Sequence, residues 1–416
     1  MTLPQPHQIS SRRRFLQFLA GSSLFTHAGA PAFGQNTAPS RLLDPMSWAP
    51  RDLDNLISDP KEALDVFDFE PVAKKNVPPA HFGYMVTGIE DEVTLRANRE
   101  GFLKFQLRPR RLVDVGTIDM TTEILGTRFD SPIVIAPTGS NRAFTRKERS
   151  RWPRQQGPAI TCRSSPPARQ RRLKRRSQHA VVRMVPVVCA EVGDHRALLR
   201  RAKRAGCDVA VVTVDGGAST NWETLVRLRR TDTRQCDACH GSTAQDYVAR
   251  RPNFDGIDVS DPDSLNIAHL TWDSIKRLRD TVKMKIVLKG ILTLEDATLA
   301  ADNGIDAIIV SNHGGRVVDS GRATIEVLHE IVGAVGGGIP ILVDSGFRRG
   351  TDIIKALAMG AQAVCIGRPY LWGLGAFGQP GVERVLEILR KETRAVMQQV
   401  GAPSIKHLTP AVVQRA

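Results

Sequence analysis

Positions 311 to 319 read Ser-Asn-His-Gly-Gly-Arg-Val-Val-Asp, directly after the apolar run at 307–310. An imidazole such as His313 changes protonation near neutral pH, which suits it to accept and return a proton. Arg316 carries a planar fork of donors that matches a carboxylate or phosphate. The glycines between them allow backbone conformations closed to other residues and let a ligand approach the main chain. A plain strand-to-helix turn with a solvated histidine has the same local signature, so the weight falls on what surrounds the motif.

Other apolar runs also end in chemistry. Asp215 closes 209–214, Lys289 closes 286–288, and Asp344-Ser345-Gly346-Phe347-Arg348-Arg349-Gly350 follows 339–343. Gly367-Arg368-Pro369 follows 363–366. The two Gly/Arg loops offer backbone N–H groups and guanidinium forks for an anion. No set of metal ligands is read.

The elements that must position these residues alternate. Strand-like runs at 132–136, 209–214, 286–288, 307–310, 339–343 and 363–366 are interleaved with helix-like segments such as 294–303, 324–335 and 351–359. Repeated strand-helix units predict a parallel sheet. Because polar residues follow so many successive strands, a (β/α)8 TIM barrel with an N-terminal helical extension is expected rather than an open sheet, with the anion loops after its last two strands. A helical region beginning at Pro60 is broken at Val77-Pro78-Pro79.

The chain has 416 residues, 41% of them hydrophobic, enough for one large barrel. It holds no run of eighteen or more apolar residues. Its first residues, Ser11-Arg12-Arg13-Arg14-Phe15-Leu16-Gln17 followed by a mildly apolar stretch and small residues, resemble a twin-arginine signal cleaved after Ala32. The expected organisation is a signal over 1–32, a linker and N-terminal extension over 33–70, and the barrel over 71–416, with a periplasmic address. Export of a folded protein hints at a tightly held cofactor.

Net charge is +15, yet residues 142–183 hold 14 Lys/Arg against the single acid Glu148. Basicity thus belongs to one segment, and no aromatic residue interleaves its central run at 168–178. A nucleic-acid arm is the low-ranked reading there, and no nucleic-acid partner is expected. The stretch at 146–183 has neither helical nor strand periodicity, and it sits where barrel strands two and three belong. Reading 159–167 one base early permits Asn-His-Leu-Gln-Ile-Leu-Ser-Thr, and reading 184–189 one base late permits Trp-Tyr-Gln-Leu-Tyr. Both peptides have the pattern of buried strands, so a frame disturbance over about 145–190 is inferred, which the base sequence of the gene decides.

Several motifs agree in order and spacing: Tyr84 with Gly88, Arg108-Pro109-Arg110, Ile135-Ala136-Pro137-Thr138-Gly139, Thr213-Val214-Asp215, Lys289-Gly290, the Ser311 motif, 344–352 and Gly367-Arg368-Pro369. Over roughly 71–408 the chain resembles the FMN-dependent α-hydroxy acid dehydrogenase/oxidase family, which includes glycolate oxidase and L-lactate dehydrogenase. The resemblance implies oxidation of an (S)-2-hydroxy acid, lactate-like, to its 2-oxo acid. Electrons would pass from FMN to a cytochrome, quinone or oxygen, and a homo-oligomer is expected.

It further implies that His313 is the base, Asp215 its partner, Arg316 and Tyr84 the holders of the substrate carboxylate, and Lys289 a cation at the flavin N1–C2 edge. Ala136, Thr138 and Gly139 would lie against the isoalloxazine, with Thr213 and Ser311 as polar contacts. Asp344, Gly346, Arg348, Gly367 and Arg368 would take the ribityl chain and phosphate. The family's Ser/Thr strand and Gln-Leu-Tyr strand are absent as written, which leaves a catalytically disabled homologue as the alternative. A second substrate arginine has no counterpart at 216–222. Cys236-Asp237-Ala238-Cys239-His240 matches a haem-attachment pattern, although a loop disulfide or two thiols is the plainer expectation, and Cys207 and Cys365 read as core residues.

Overall fold

The computed structural model describes residues 56–139, 141–144, 160–161, 183–188, 195–216, 220–233, 256, 268–281 and 283–416. The chain divides into two units, Met1–Pro50 and Arg51–Ala416, and the described elements belong to the second. The expected signal, most of the Arg-rich stretch and the Cys236–His240 motif lie outside the described residues.

Eight strands form the central sheet: β1 (Ile133–Ile135), β2 (Ile160–Thr161), β3 (Arg183–Val188), β4 (Val209–Thr213), β5 (Lys285–Ile291), β6 (Ala307–Val310), β7 (Ile341–Val343) and β8 (Ala363–Ile366). Their order is β1-β8-β7-β6-β5-β4-β3-β2. From β3 through β8 every pairing is parallel, and β8 pairs in parallel with β1. First strand beside last is the arrangement of a barrel wall, consistent with the (β/α)8 architecture, although no ladder among the described residues joins β1 to β2. The departure falls at β2, which runs antiparallel to β3 through Ile160 opposite Met184. Residues 183–188 form a strand in the sequence as written, so Arg183 belongs to a strand and not to the stretch without strand period.

The parallel strands are continuous apolar runs because both faces are covered. Val134, Val209, Val211, Val287, Ala307, Ile309, Leu342, Ala363 and Cys365 fill one buried cluster with Ile124 and Phe129. Those last two come from the hairpin Thr122–Ile124/Thr127–Phe129. The alternate residues Ala210, Val212, Ile286, Leu288, Ile308, Val310 and Val343 are buried as well. Cys207 and Cys365 are both buried, as their reading as core residues requires.

The extension begins with 3-10 turns at Pro60–Glu62 and Val66–Asp68, then α1 (Phe69–Asn76), α2 (Pro79–Val86) and α3 (Val93–Glu100). Buried Ala63, Val66, Phe67 and Phe69 build this segment into the fold. Among the described residues the remaining helices are α4 (His195–Arg204), α5 (Glu223–Arg230), α6 (Trp272–Thr281), α7 (Leu294–Asp302), α8 (Thr324–Val335), α9 (Gly350–Ala358), α10 (Arg368–Phe377) and α11 (Gln379–Val400). The residues expected in helices at 294–303, 324–335 and 351–359 fall on α7, α8 and α9 to within one position at each end. No helix among the described residues is long and apolar enough to cross a membrane.

One buried ion pair ties the extension to the barrel. Arg99 on α3 meets Asp352 on α9 at 2.8 Å. Asp352 also accepts the amides of Arg348 and Arg349, capping α9. Asp352→Ala removes the carboxylate facing a buried guanidinium and uncaps the helix, a loss of about 3–5 kcal/mol. Thermal and urea unfolding of the variant report it; a loss below about 1 kcal/mol would show the pair to be dispensable.

Candidate active site

The C-terminal strand ends converge on one charged cluster. Asp215 follows β4, and its Oδ1 accepts the Nδ1–H of His313 at 2.8 Å. Its Oδ2 lies 3.9 Å from Lys289 Nζ, whose other neighbour is Asp344 Oδ2 at 3.8 Å. All three of these charged side chains are buried, while His313 stays more than a third exposed. Burial alone would raise the Asp215 carboxyl, but the Lys289 charge and then the His313 hydrogen bond outweigh it and hold the group below its ordinary value of 3.8. An ionised Asp215 only accepts, so Nδ1 carries a proton, and in the neutral ring Nε2 has the lone pair.

A bulge aims the lysine. The β5–β6 register shifts between Lys289 and Ile291, around Gly290 at φ +113°. A Cβ at Gly290 would lie 2.5 Å from Asp215 Cβ, so glycine is required for the aspartate to sit against β5.

His313 itself takes a left-handed φ of +56°. Ser311, fully buried, accepts the His313 amide at 3.1 Å and so shapes this turn. Asn312 and Asn98 exchange amide hydrogen bonds of 2.7 and 2.9 Å, pinning the motif to α3. Asp319 accepts the amides of Val93 and Thr94 and caps the same helix.

Ser345, at φ +75°, accepts the Gly314 amide at 3.0 Å and donates to Asp344 Oδ1 at 2.7 Å. A left-handed non-glycine residue costs about 1–3 kcal/mol and persists where its surroundings require it. Here its hydroxyl links the histidine loop to the carboxylate facing Lys289.

The arginines gather on the same side. Arg316 Nη1 donates to the carbonyls of Tyr84 and Thr87 at 2.8 and 2.9 Å. Burial lowers the Arg316 guanidinium from its ordinary value, against the opposing pull of Tyr84. Arg368 donates to Gly314 O and Thr87 O at 2.9 and 3.0 Å. Burial first, and then the Arg316 and Arg348 charges, push Arg368 down to about 9. Arg348 is buried, with its guanidinium 4.6 Å from the centre of the Trp372 ring.

Glu92 and Glu70 pull Arg368 the other way but are outweighed, so an anion would relieve this corner. Gly367 caps the N-terminus of α10, and a Cβ there would meet nothing within 4 Å. Open space at a helix N-terminus beside Arg368 is a cradle for a phosphate.

Every residue expected in the site lies at a strand end or on the adjoining loops and helices. Ala136 is buried, its amide bonded to Ile366 O at 2.9 Å. Thr213 ends β4 and is buried. The Thr138 hydroxyl is engaged with the Tyr370 hydroxyl and with Asn141 Oδ1. Gly139 opens onto free space, and Gly346 has φ +85°. Sequence reasoning missed Ser345, Asn98, Asn312, Tyr370 and Trp222. Ser345 had a signal, since it stands just before a glycine in an anion loop, and so did Asn312, which lies inside the 311–319 motif; Asn98, Tyr370 and Trp222 had none.

A curled, largely parallel barrel sheet with a His–Asp pair, a buried cation and an anion cradle at its strand ends defines an enzyme. The sequence matches the FMN-dependent dehydrogenases over residues 73–415. It is 35% identical over 369 residues to a peroxisomal (S)-2-hydroxyacid oxidase of Arabidopsis thaliana, covering 84% of this chain and 95% of that protein. It is 36% identical over 364 residues to an L-lactate oxidase of Nostoc, covering 83% and 96%.

Among solved structures, a membrane-associated (S)-mandelate dehydrogenase from Pseudomonas putida, as a soluble mutant, superposes with a TM-score of 0.67 at 29% identity, covering 85% of this chain and all of that one. A mutant flavocytochrome b2 with pyruvate bound gives 0.69 at 26% identity, covering 90% of each. The chain belongs to the FMN-dependent dehydrogenase family, the branch of 2-hydroxy acid oxidases and dehydrogenases.

The residues present fit FMN. Lys289 Nζ is buried and, among the described residues, donates no hydrogen bond. Arg368 Nε is in the same state. With the open Gly367 cradle these are donors waiting for an acceptor.

Two outcomes test the site. Ser345→Ala keeps the left-handed strain and loses both hydrogen bonds, whereas Ser345→Gly loses the bonds but relieves the strain. The alanine variant should therefore unfold more easily, by about 1 kcal/mol; equal melting points would argue against strain at this position. Asp215 contributes stability that is full above 3.8, its unfolded value, and is lost as pH falls through its lower folded value. The acid-side slope of stability against pH should be shallower in Asp215→Asn, as followed by acid titration of unfolding.

Proposed function

We propose that the protein oxidises an (S)-2-hydroxy acid of lactate size to the 2-oxo acid, with His313 as base. The observation that carries this is the His313–Asp215 pair, with Nδ1 committed to an ionised carboxylate and Nε2 free. FMN, when bound, supplies the acceptor for the two electrons leaving the substrate carbon.

His313 Nε2 takes a proton from the 2-hydroxy acid, and Asp215 stabilises the imidazolium that results. Arg316 holds the substrate carboxylate, with Tyr84 beside it. Lys289, paired with two carboxylates and hydrogen-bonded to neither, keeps its charge available to the flavin ring. Arg348, Gly367 and Arg368 would hold the phosphate, Asp344 and Gly346 the ribityl chain. Ala136, Thr138, Gly139, Thr213 and Ser311 would line the flavin ring.

Lactate is favoured by the L-lactate oxidase of Nostoc and by the pyruvate-bound flavocytochrome. A twin-arginine segment at 11–17 supports a periplasmic address, and with it a cytochrome or quinone as electron acceptor over oxygen. The antiparallel β2 favours a second reading, in which the barrel binds FMN without turnover.

Anaerobic L-lactate added to FMN-loaded protein should bleach the flavin absorbance. His313→Gln should retain FMN and bleach at least ~100-fold more slowly. Yellow wild-type protein that L-lactate, glycolate and mandelate all fail to bleach would sink the oxidase reading in favour of the second.

A further inference from the structure

Arg316 has a neighbour that neither the motifs nor the comparisons assign. The Trp222 ring lies 4.2 Å from the guanidinium carbon, closer than the Tyr84 ring at 4.8 Å. The two rings are 6.2 Å apart and nearly parallel, at 13°. Tyr84 stacks in turn on Phe144 at 6.4 Å and 18°. The guanidinium thus has an aromatic face on two sides, and its Nη1 is fixed by the Tyr84 and Thr87 carbonyls.

Trp222 is held from both directions along the chain. It precedes α5 as its N-cap, and its carbonyl accepts the Val226 amide at 2.9 Å. The preceding Asn221 carbonyl accepts the Glu90 amide at 3.0 Å. Helix α5 packs tightly on α2, the helix that carries Tyr84: a Cβ at Gly83 would lie 2.8 Å from Leu228 Cδ1. One rigid helix pair therefore presents both rings.

We propose that Trp222 is a positioning residue for substrate binding, whose π face holds the Arg316 guanidinium in the plane that receives the substrate carboxylate. The physics is general. A guanidinium is weakly hydrated and stacks on aromatic rings, and an attraction of this kind strengthens as water is removed. No carboxylate side chain bonds Arg316 among its described hydrogen bonds, and its two backbone bonds fix only Nη1. Rotation about that edge is stopped by the rings. The proposal rests on Arg316 as the carboxylate holder in the function proposed above.

The test compares FMN-loaded wild type with Trp222→Phe, Trp222→Leu and Trp222→Ala. Phenylalanine keeps a π face, leucine keeps bulk alone. The leucine and alanine variants should raise KM for L-lactate on the order of tenfold with kcat within about twofold, and phenylalanine should restore most of the loss. Calorimetric titration with acetate reads the carboxylate site without turnover, and the same ranking of affinities is expected.

A leucine variant equal to wild type in both readouts overturns the proposal, as does a fall in kcat at unchanged KM. Wild type that binds acetate but oxidises no 2-hydroxy acid sinks the function reading alone, and the acetate ranking still decides on Trp222. Wild type that binds no acetate overturns the role of Arg316 and the proposal with it. Unchanged FMN content shows that each variant is folded.

Discussion

A buried ammonium between two buried carboxylates is the constraint on which this active site depends. Taking Lys289, Asp215 and Asp344 out of water costs several kcal/mol per ion unless the charges face one another. At 3.9 and 3.8 Å they do so without hydrogen bonds. The cluster is thereby neutralised in part but not satisfied, a state suited to a ligand that brings acceptors. From it follow the ionisation of Asp215, the tautomer of His313 and the free Nε2. The bulge at Gly290 and the strained Ser345 are local costs of holding those charges in place.

The second theme is positive charge that, among the described residues, forms no direct ion pair with a carboxylate. Arg316 and Arg368 donate to backbone carbonyls, and both are lowered by burial. By contrast Arg99 has Asp352. The first two guanidiniums are left for anions from outside and the third is spent on the fold. The aromatic face of Trp222 lets a half-buried cation wait for its anion at lower cost.

Much of the fold was legible because parallel strands buried on both faces write themselves as continuous apolar runs. The run at 363–366 is β8 residue for residue, and 324–335 is α8. The site residues were legible for a related reason: in a barrel the residue after each strand faces the same mouth, so order along the chain is already position around a ring. Residues 183–188 were not legible. Their backbone finds a partner ladder on β4, and that pairing, not a local pattern, makes them a strand.

The sequence alone determined the barrel, its family and the types of side chain at its mouth, since these follow from periodicity and from residues adjacent to strand ends. Tertiary structure alone decided which charges share a cluster, that Ser345 bridges two loops, and that Trp222 stacks on Arg316. Those contacts join residues 98, 31 and 94 positions apart or so in the chain. Coulomb attraction, hydrogen bonding and ring stacking act through space, and no local pattern in the chain records the distance between such partners.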